Sequence, residues 1–87
     1  MKLILAVVRD TDERAVIGSL VDNGYRVTRV ASTGGFLKRG NITLMIGIEE
    51  EQLEKVIEVM KDASSPVNDQ QHSVTLFVVN ATHFIQV

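Results

Sequence analysis

The sequence contains no cysteine, only two histidines and a single proline in 87 residues. Without cysteine the chain can form neither a disulfide nor a thiolate metal site, and His72 and His83 are too few for a convincing imidazole site. No stretch approaches the roughly 20 apolar residues of a membrane-spanning helix, and the start MKLILAVVRD lacks the length and cleavage site of a signal peptide. The sequence therefore predicts a cytoplasmic protein with no metal site and no membrane association.

Positive charge is also not in excess, because nine Lys and Arg residues stand against eleven Asp and Glu residues, for a net charge of −2. That balance argues against a protein that binds long nucleic acids through its overall charge. Four cations nevertheless fall within one window, at Arg26, Arg29, Lys38 and Arg39. This window is suited to a small anion although the whole chain is acidic.

The length predicts one domain, residues 1–87, and a domain of this size buries only about two-thirds of its surface on folding. Yet 45% of the residues are hydrophobic, which is rich for so small a protein. Large apolar patches on a protein surface usually mark interfaces. The composition therefore predicts that some apolar surface is buried between identical subunits.

Apolar periodicity divides the chain into four strands and two helices. The predicted strands cover residues 2–9, 25–33, 42–48 and 72–79, and the predicted helices cover residues 10–24 and 49–64. The first strand is apolar without alternation, which is typical of a strand buried on both faces. Asp10 or Thr11 is expected to cap the first helix, and residues 80–87 are expected to form a short strand or tail.

The order β-α-β-β-α-β predicts an α+β, ferredoxin-like sandwich with antiparallel second and third strands. Two helices can cover only one face of a four-stranded sheet. The other face of the third strand carries Thr43, Met45 and Gly47 rather than charges. We therefore expect copies of the chain to cover that face.

The connection from Ser32 to Asn41 is unusual because it holds Phe36 and Leu37 where a turn is normally polar. In one interpretation the glycines before them relieve backbone strain and the two apolar side chains fold back onto the domain. In the other, the N–H groups of Gly35 and Phe36 bind an anion or a base edge, the phenyl ring stacks on a purine, and Asn41 reads the purine edge. Arg26 and Thr28, on one strand face, would hold a phosphate.

The same stretch carries a family resemblance. With TGGFL at 33–37, GN at 40–41 and T…GI at 43–48, the sequence resembles the PII-like cyclic di-AMP receptor family, without gaps from residue 1 to about residue 61. The resemblance implies a PII-like homotrimer that binds the small molecule cyclic di-AMP in clefts between neighbouring subunits. It implies a signalling receptor with no cofactor, and not an enzyme.

The resemblance also implies which residues contact the ligand. The adenine-stacking aromatic falls on Phe36, and contacts to phosphate and base fall on Thr28, Asn41 and Gly47. The last strand and the C-terminus each add one side chain. The complete predicted set is Arg26, Thr28, Gly35, Phe36, Leu37, Asn41, Gly47, Phe77 and Gln86.

The segment ASSPVNDQQHS, residues 63–73, departs from the family, whose members usually carry a long glycine-rich segment there. This departure keeps open a structural or protein-binding trimer whose ligand site has decayed with the shortened loop. A third hypothesis is a small acyl-phosphate hydrolase that uses Arg9 or Arg39 to bind phosphate and Asn41 to position water. RNA binding through the sheet is a further use of the fold, but the aromatic pattern that it needs is absent. The sequence does not name a downstream protein target.

Overall fold

The computed structural model describes residues 1–30, 40–65 and 74–81. Their elements run in the order β1 (Lys2–Arg9), a 3₁₀ turn (Asp10–Asp12), α1 (Glu13–Asp22), β2 (Val27–Val30), β3 (Asn41–Ile48), a second 3₁₀ turn (Glu50–Gln52), α2 (Leu53–Ala63) and β4 (Val74–Asn80). This is the predicted βαββαβ order, and the α+β, ferredoxin-like fold class is confirmed. None of the helices in these three ranges has the length and apolarity to cross a bilayer.

The four strands form one sheet in the order β2-β3-β1-β4, and every neighbouring pair is antiparallel. The register aligns Thr28, Met45, Leu5 and Phe77 in a single row across all four strands. The predicted pairing of the second and third strands is therefore confirmed. Strand β2 is described only as far as Val30, so the predicted strand residues 31–33 lie outside the described residues.

The core lies between the sheet and the two helices. Alternate residues of β1 and β3 point toward the helices, and α1 and α2 each contribute two fully buried side chains. The eleven core residues are Ile4, Ala6, Val8, Val16, Leu20, Ile42, Leu44, Ile46, Ile48, Val56 and Met60. Burial in this cluster is what holds both short helices in place, since helices of this length are marginal alone.

The burial of β1 corrects one expectation from the sequence. Ile4, Ala6 and Val8 are buried, but the residues between them are only half-buried in the single chain. The strand is therefore not buried on both faces within one protomer. The other face of β1 is apolar and only partly covered in the single chain.

The beginning of α1 corrects another expectation, because neither Asp10 nor Thr11 caps the helix. The chain first makes a 3₁₀ turn whose preceding residue, Arg9, makes no side-chain cap, and α1 begins only at Glu13. Asp12, the last residue of the 3₁₀ turn, is 2% exposed. Its carboxylate is directed into the protein.

Asp12 is held by residues on both sides of it. Its carboxylate accepts hydrogen bonds from the N–H (3.2 Å) and Oγ (2.5 Å) of Ser65 and from Nε of Arg9 (3.1 Å), and Arg9 Nη2 lies 2.9 Å from the same carboxylate. Burial raises the pKa of Asp12, but the hydrogen bonds from Ser65 and the charge of Arg9 outweigh it. The net pKa of Asp12 is therefore below the ordinary 3.8.

The substitution Asp12→Asn should lower the free energy of unfolding by about 2–3 kcal/mol at pH 7, because it removes the charge that satisfies a buried cluster of donors. The pKa of Asp12 is depressed by folding, so this stabilisation is present above 3.8 and is lost as the pH falls through the folded pKa. The difference between wild type and variant should therefore shrink in acid. Urea denaturation at pH 7 and at about pH 3 measures it.

Glu13→Gln is the matched control, since it removes the neighbouring carboxylate and its more exposed ion pair with Arg29 (2.5 Å). This substitution should lower the free energy of unfolding by less than about 1 kcal/mol. A difference between wild type and Asp12→Asn that is equal at both pH values would contradict the role given to the Asp12 charge.

Candidate functional site

Among the described residues, no helix packs on one face of the sheet, here called the helix-free face. Its centre is the row of Thr28, Met45, Leu5 and Phe77. Between Leu3 and Val7 of β1 and their partners on β3 and β4, the described strands place no charged side chain on this face. Phe77 is 57% exposed in the single chain, so the face presents an apolar surface.

All the predicted site residues that the structure describes lie on the helix-free face. The alternation of side chains along the paired strands places four of them on this face. The same alternation, continued to the residue before β2, places Arg26 on it as well. These five are Arg26, Thr28, Asn41, Gly47 and Phe77. The other four, Gly35, Phe36, Leu37 and Gln86, lie outside the described residues.

Within one protomer these five residues form separate groups. Gly47 pairs with Leu3 of β1. On its other side, the β2–β3 register, extended by one residue from the Val27–Ile46 pair, brings Gly47 opposite Arg26. Phe77 lies three strands away from Thr28, about 14 Å at the usual strand spacing, and Asn41 lies six residues from Gly47 along β3, about 20 Å. Within one protomer, a compact ligand would therefore contact only some of these groups at a time.

Gly47 has the features of a contact surface rather than of a turn. It is exposed at the penultimate position of β3, and the positive φ angles among the described glycines belong to Gly24 and Gly40. A Cβ at position 47 would have one described atom within 4 Å, the Cε of Met1 at 2.9 Å. Since the backbone does not require glycine here, the missing side chain leaves room for the end of the Met1 side chain, and movement of that flexible side chain would open the main chain to close approach by another molecule.

Asn41 is positioned by its main chain. Gly40 takes a φ of +91°, which only glycine adopts readily, and its carbonyl accepts a hydrogen bond of 2.7 Å from the N–H of Asp10. Asn41 itself pairs with Arg9 at the end of the β1–β3 ladder. The main chain that carries the Asn41 amide side chain is therefore held in place at one end of the helix-free face.

The two arginines near β2 have different surroundings. Arg29 alternates toward the helices, where its Nε lies 2.5 Å from a carboxylate oxygen of Glu13. Arg26 lies on the other side of the strand, together with Thr28. Of these two cations, Arg26 is thus the one placed to bind a phosphate on the helix-free face.

Sequence analysis did not predict the contact between Asp12 and Ser65. Asp12 and Ser65 are separated by 53 positions and no local pattern links them. Arg9, which the hydrolase hypothesis used to bind phosphate, donates instead to Asp12 and to the carbonyl of Ser65 (2.6 Å). That commitment of the guanidinium weakens the hydrolase hypothesis.

The described residues offer hydrogen-bonding and stacking groups rather than a metal centre. In residues 1–30, 40–65 and 74–81, no group of three or more His, Cys, Asp or Glu side chains is arranged to hold a metal ion. Two grooves in the described part of the protein lie beside the helices, away from the predicted site residues. One runs along α1 from Asp10 to Val21, and the other lies between α2 and β4 beside Ile57 and Leu76. Amide, hydroxyl, guanidinium and phenyl groups together suit a phosphate-bearing purine.

Comparison with known proteins identifies the family of the chain. The model of a family described as cyclic-di-AMP receptor matches residues 1–87. A crystal structure from Pediococcus pentosaceus ATCC 25745, described as a functionally unknown protein, is 34% identical, covers 99% of this chain and 96% of its own, and superposes with a TM-score of 0.76. The chain therefore belongs to the cyclic-di-AMP receptor family.

Proposed function

We propose that this chain is a single-domain, homotrimeric receptor that binds cyclic di-AMP in clefts between neighbouring protomers. The observation that carries the proposal is the common position of the five described site residues, which share the helix-free face but are spread from its β2 edge to its β4 edge. Family membership supplies the ligand. The protein acts as a signalling receptor without a cofactor, and any downstream protein target is a further partner.

The chemistry of the site fits the two halves of the ligand. Cyclic di-AMP carries two adenines and two phosphates, so a receptor needs stacking surfaces, base-edge contacts and anion contacts. Phe36 supplies the stacking surface, flanked by Gly35 and Leu37, and Asn41 offers the paired donor and acceptor that suit adenine. Arg26 and Thr28 lie on the same strand face, which is the placement that phosphate binding needs.

The two edges of the sheet favour a ring of copies. Phe77 lies on the edge strand β4, and Arg26 and Thr28 lie by the other edge strand, β2. A cleft that combines these groups joins unlike surfaces of two copies, which is a heterologous contact. Heterologous contacts close into rings when the rotation allows, and a trimer is a small ring of this kind. Gln86 belongs to the same proposed cleft.

The helix-free face supplies the driving force for assembly. In the single chain, Phe77 and Val79 are 57% and 48% exposed, and Leu3, Leu5 and Val7 are half-buried. Covering such a surface with other copies gains about 25 cal/mol for each Å² of apolar area removed from water. A second candidate function, a trimer whose ligand site has decayed, shares this assembly and differs only in ligand binding.

Phe36→Ala should weaken binding of cyclic di-AMP about ten- to hundredfold, because loss of one stacked base costs about 1–3 kcal/mol. Isothermal titration calorimetry measures the change. Phe36→Tyr retains the ring and should bind within about threefold of wild type, since both rings offer the same stacking face. Absence of binding by the wild type at high micromolar ligand would favour the decayed trimer instead.

Gly47→Ala should lower the affinity for cyclic di-AMP by about tenfold, since an added methyl group in a close contact costs about 1–3 kcal/mol. The fold itself should tolerate the change, because the new Cβ would meet only the flexible end of Met1. Gly18→Ala is the control, as a Cβ on that α1 residue has no described neighbour within 4 Å. Equal affinities for the two variants would remove Gly47 from the site.

Val79→Glu should dissociate the trimer, because it places a charge within the apolar surface that assembly buries. Val21→Glu is closely matched, since Val21 is 55% exposed and Val79 is 48% exposed, but it lies on α1. Size-exclusion chromatography with light scattering should give a trimer for wild type and Val21→Glu, and a smaller species for Val79→Glu. A wild type that is monomeric at micromolar concentration would contradict the proposed assembly.

A further inference from the structure

The contacts of Ser65 are unusually complete for a residue just beyond the end of a helix. Its N–H and hydroxyl both donate to the Asp12 carboxylate, at 3.2 and 2.5 Å, and its carbonyl accepts from Nη2 of Arg9 at 2.6 Å. All three polar groups of Ser65 are thus held by the turn that joins β1 to α1. The path of the chain as it leaves α2 is fixed by residues more than 50 positions earlier.

The same turn also fixes the beginning of β3. The N–H of Asp10 donates to the carbonyl of Gly40 at 2.7 Å, and Arg9 pairs with Asn41 in the β1–β3 ladder. Gly40 is therefore held on one side of the turn while Ser65 is held on the other. Two chain segments that are remote in sequence meet at one four-residue stretch.

Asp12 lies in the same turn, where its carboxylate contacts Ser65 and the Arg9 side chain directly. Its link to Gly40 and Asn41 runs through the main chain of Asp10 and Arg9. Asp12 is the one buried charged or polar side chain found in the described ranges, and no buried side-chain polar atom there lacks a hydrogen-bond partner. A buried ion pair adds little stability compared with a well-packed apolar residue, whereas loss of one partner leaves the other donors unsatisfied. The cluster therefore specifies where its neighbours lie.

We propose that Asp12 is a positioning residue for the ligand site, which through Arg9 and Ser65 couples the placement of Asn41 to the placement of the chain that leaves α2. The effect on ligand affinity rests on the proposed function, because Asn41 is one of the proposed contacts. The coupling itself is a property of the protein without ligand. Binding at the start of β3 would thereby influence the end of α2, and the reverse.

Amide hydrogen exchange, followed by NMR in the ligand-free protein, tests the coupling. In Asp12→Asn the amides of both Ser65 and Asp10 should exchange at least about tenfold faster relative to the Ala6 amide in central β1. The Ser65 N–H loses its charged acceptor, and the Asp10 N–H lies in the turn that this carboxylate holds through Arg9. Calorimetry on the same samples should show an affinity for cyclic di-AMP reduced by about tenfold. Ser65→Ala, which removes only the hydroxyl donor, should act in the same direction more weakly and provides a variant that folds.

Two controls separate positioning from general loss of stability. Glu13→Gln removes the adjacent carboxylate and should leave both amides and the affinity within about twofold of wild type, as expected for a partly exposed pair. Val56→Ala destabilises the core from a fully buried position outside the cluster, and its affinity should remain close to wild type at a temperature where it is folded.

The proposal is overturned if Asp12→Asn accelerates the Ser65 amide but leaves the Asp10 amide unchanged, because the two segments would then be independent. It is equally overturned if Val56→Ala lowers the affinity as much as Asp12→Asn does. If the wild type binds no cyclic di-AMP, the proposed function fails and the role in affinity fails with it. The exchange measurements still decide whether Asp12 couples the two segments.

Discussion

Two helices can cover only one face of a four-stranded sheet, and this constraint governs the whole molecule. The helices α1 and α2 bury Ile4, Ala6 and Val8 of β1, while the residues between them remain half-buried on the other face. A chain of 87 residues has no further element in the described ranges to cover that face. The apolar surface that remains is the basis of the proposed assembly, and the proposed clefts would form as a consequence of it.

Much of the fold could be predicted because local patterns determine it. The apolar spacing of Leu53, Val56 and Met60 gave the position of α2, and the alternation from Ile42 to Ile48 gave the buried face of β3. The beginning of α1 could not be predicted in the same way. The capping propensities of Asp10 and Thr11 are local, whereas Asp12 is turned inward by Ser65, a partner that no nearby pattern reveals.

For the site, too, part could be predicted from local motifs and part depends on long-range strand pairing. Motif resemblance named Asn41, Gly47 and Phe77, and the register then showed that they share one face at separated positions. Sequence alone did not show that separation, since it depends on the strand order β2-β3-β1-β4. The structure adds that the backbone of Gly47 does not need glycine and that the flexible end of Met1 lies where a Cβ would be placed.

Native mass spectrometry with cyclic di-AMP tests the central claim most directly, because it counts protomers and ligands in the same particle. The account predicts a particle of three chains that takes up as many as three molecules of cyclic di-AMP, with no ligand retained by single chains. A monomer that binds cyclic di-AMP by itself would contradict the claim that the site lies between protomers. A trimer that takes up none would show that assembly of the helix-free face does not create a site for this ligand.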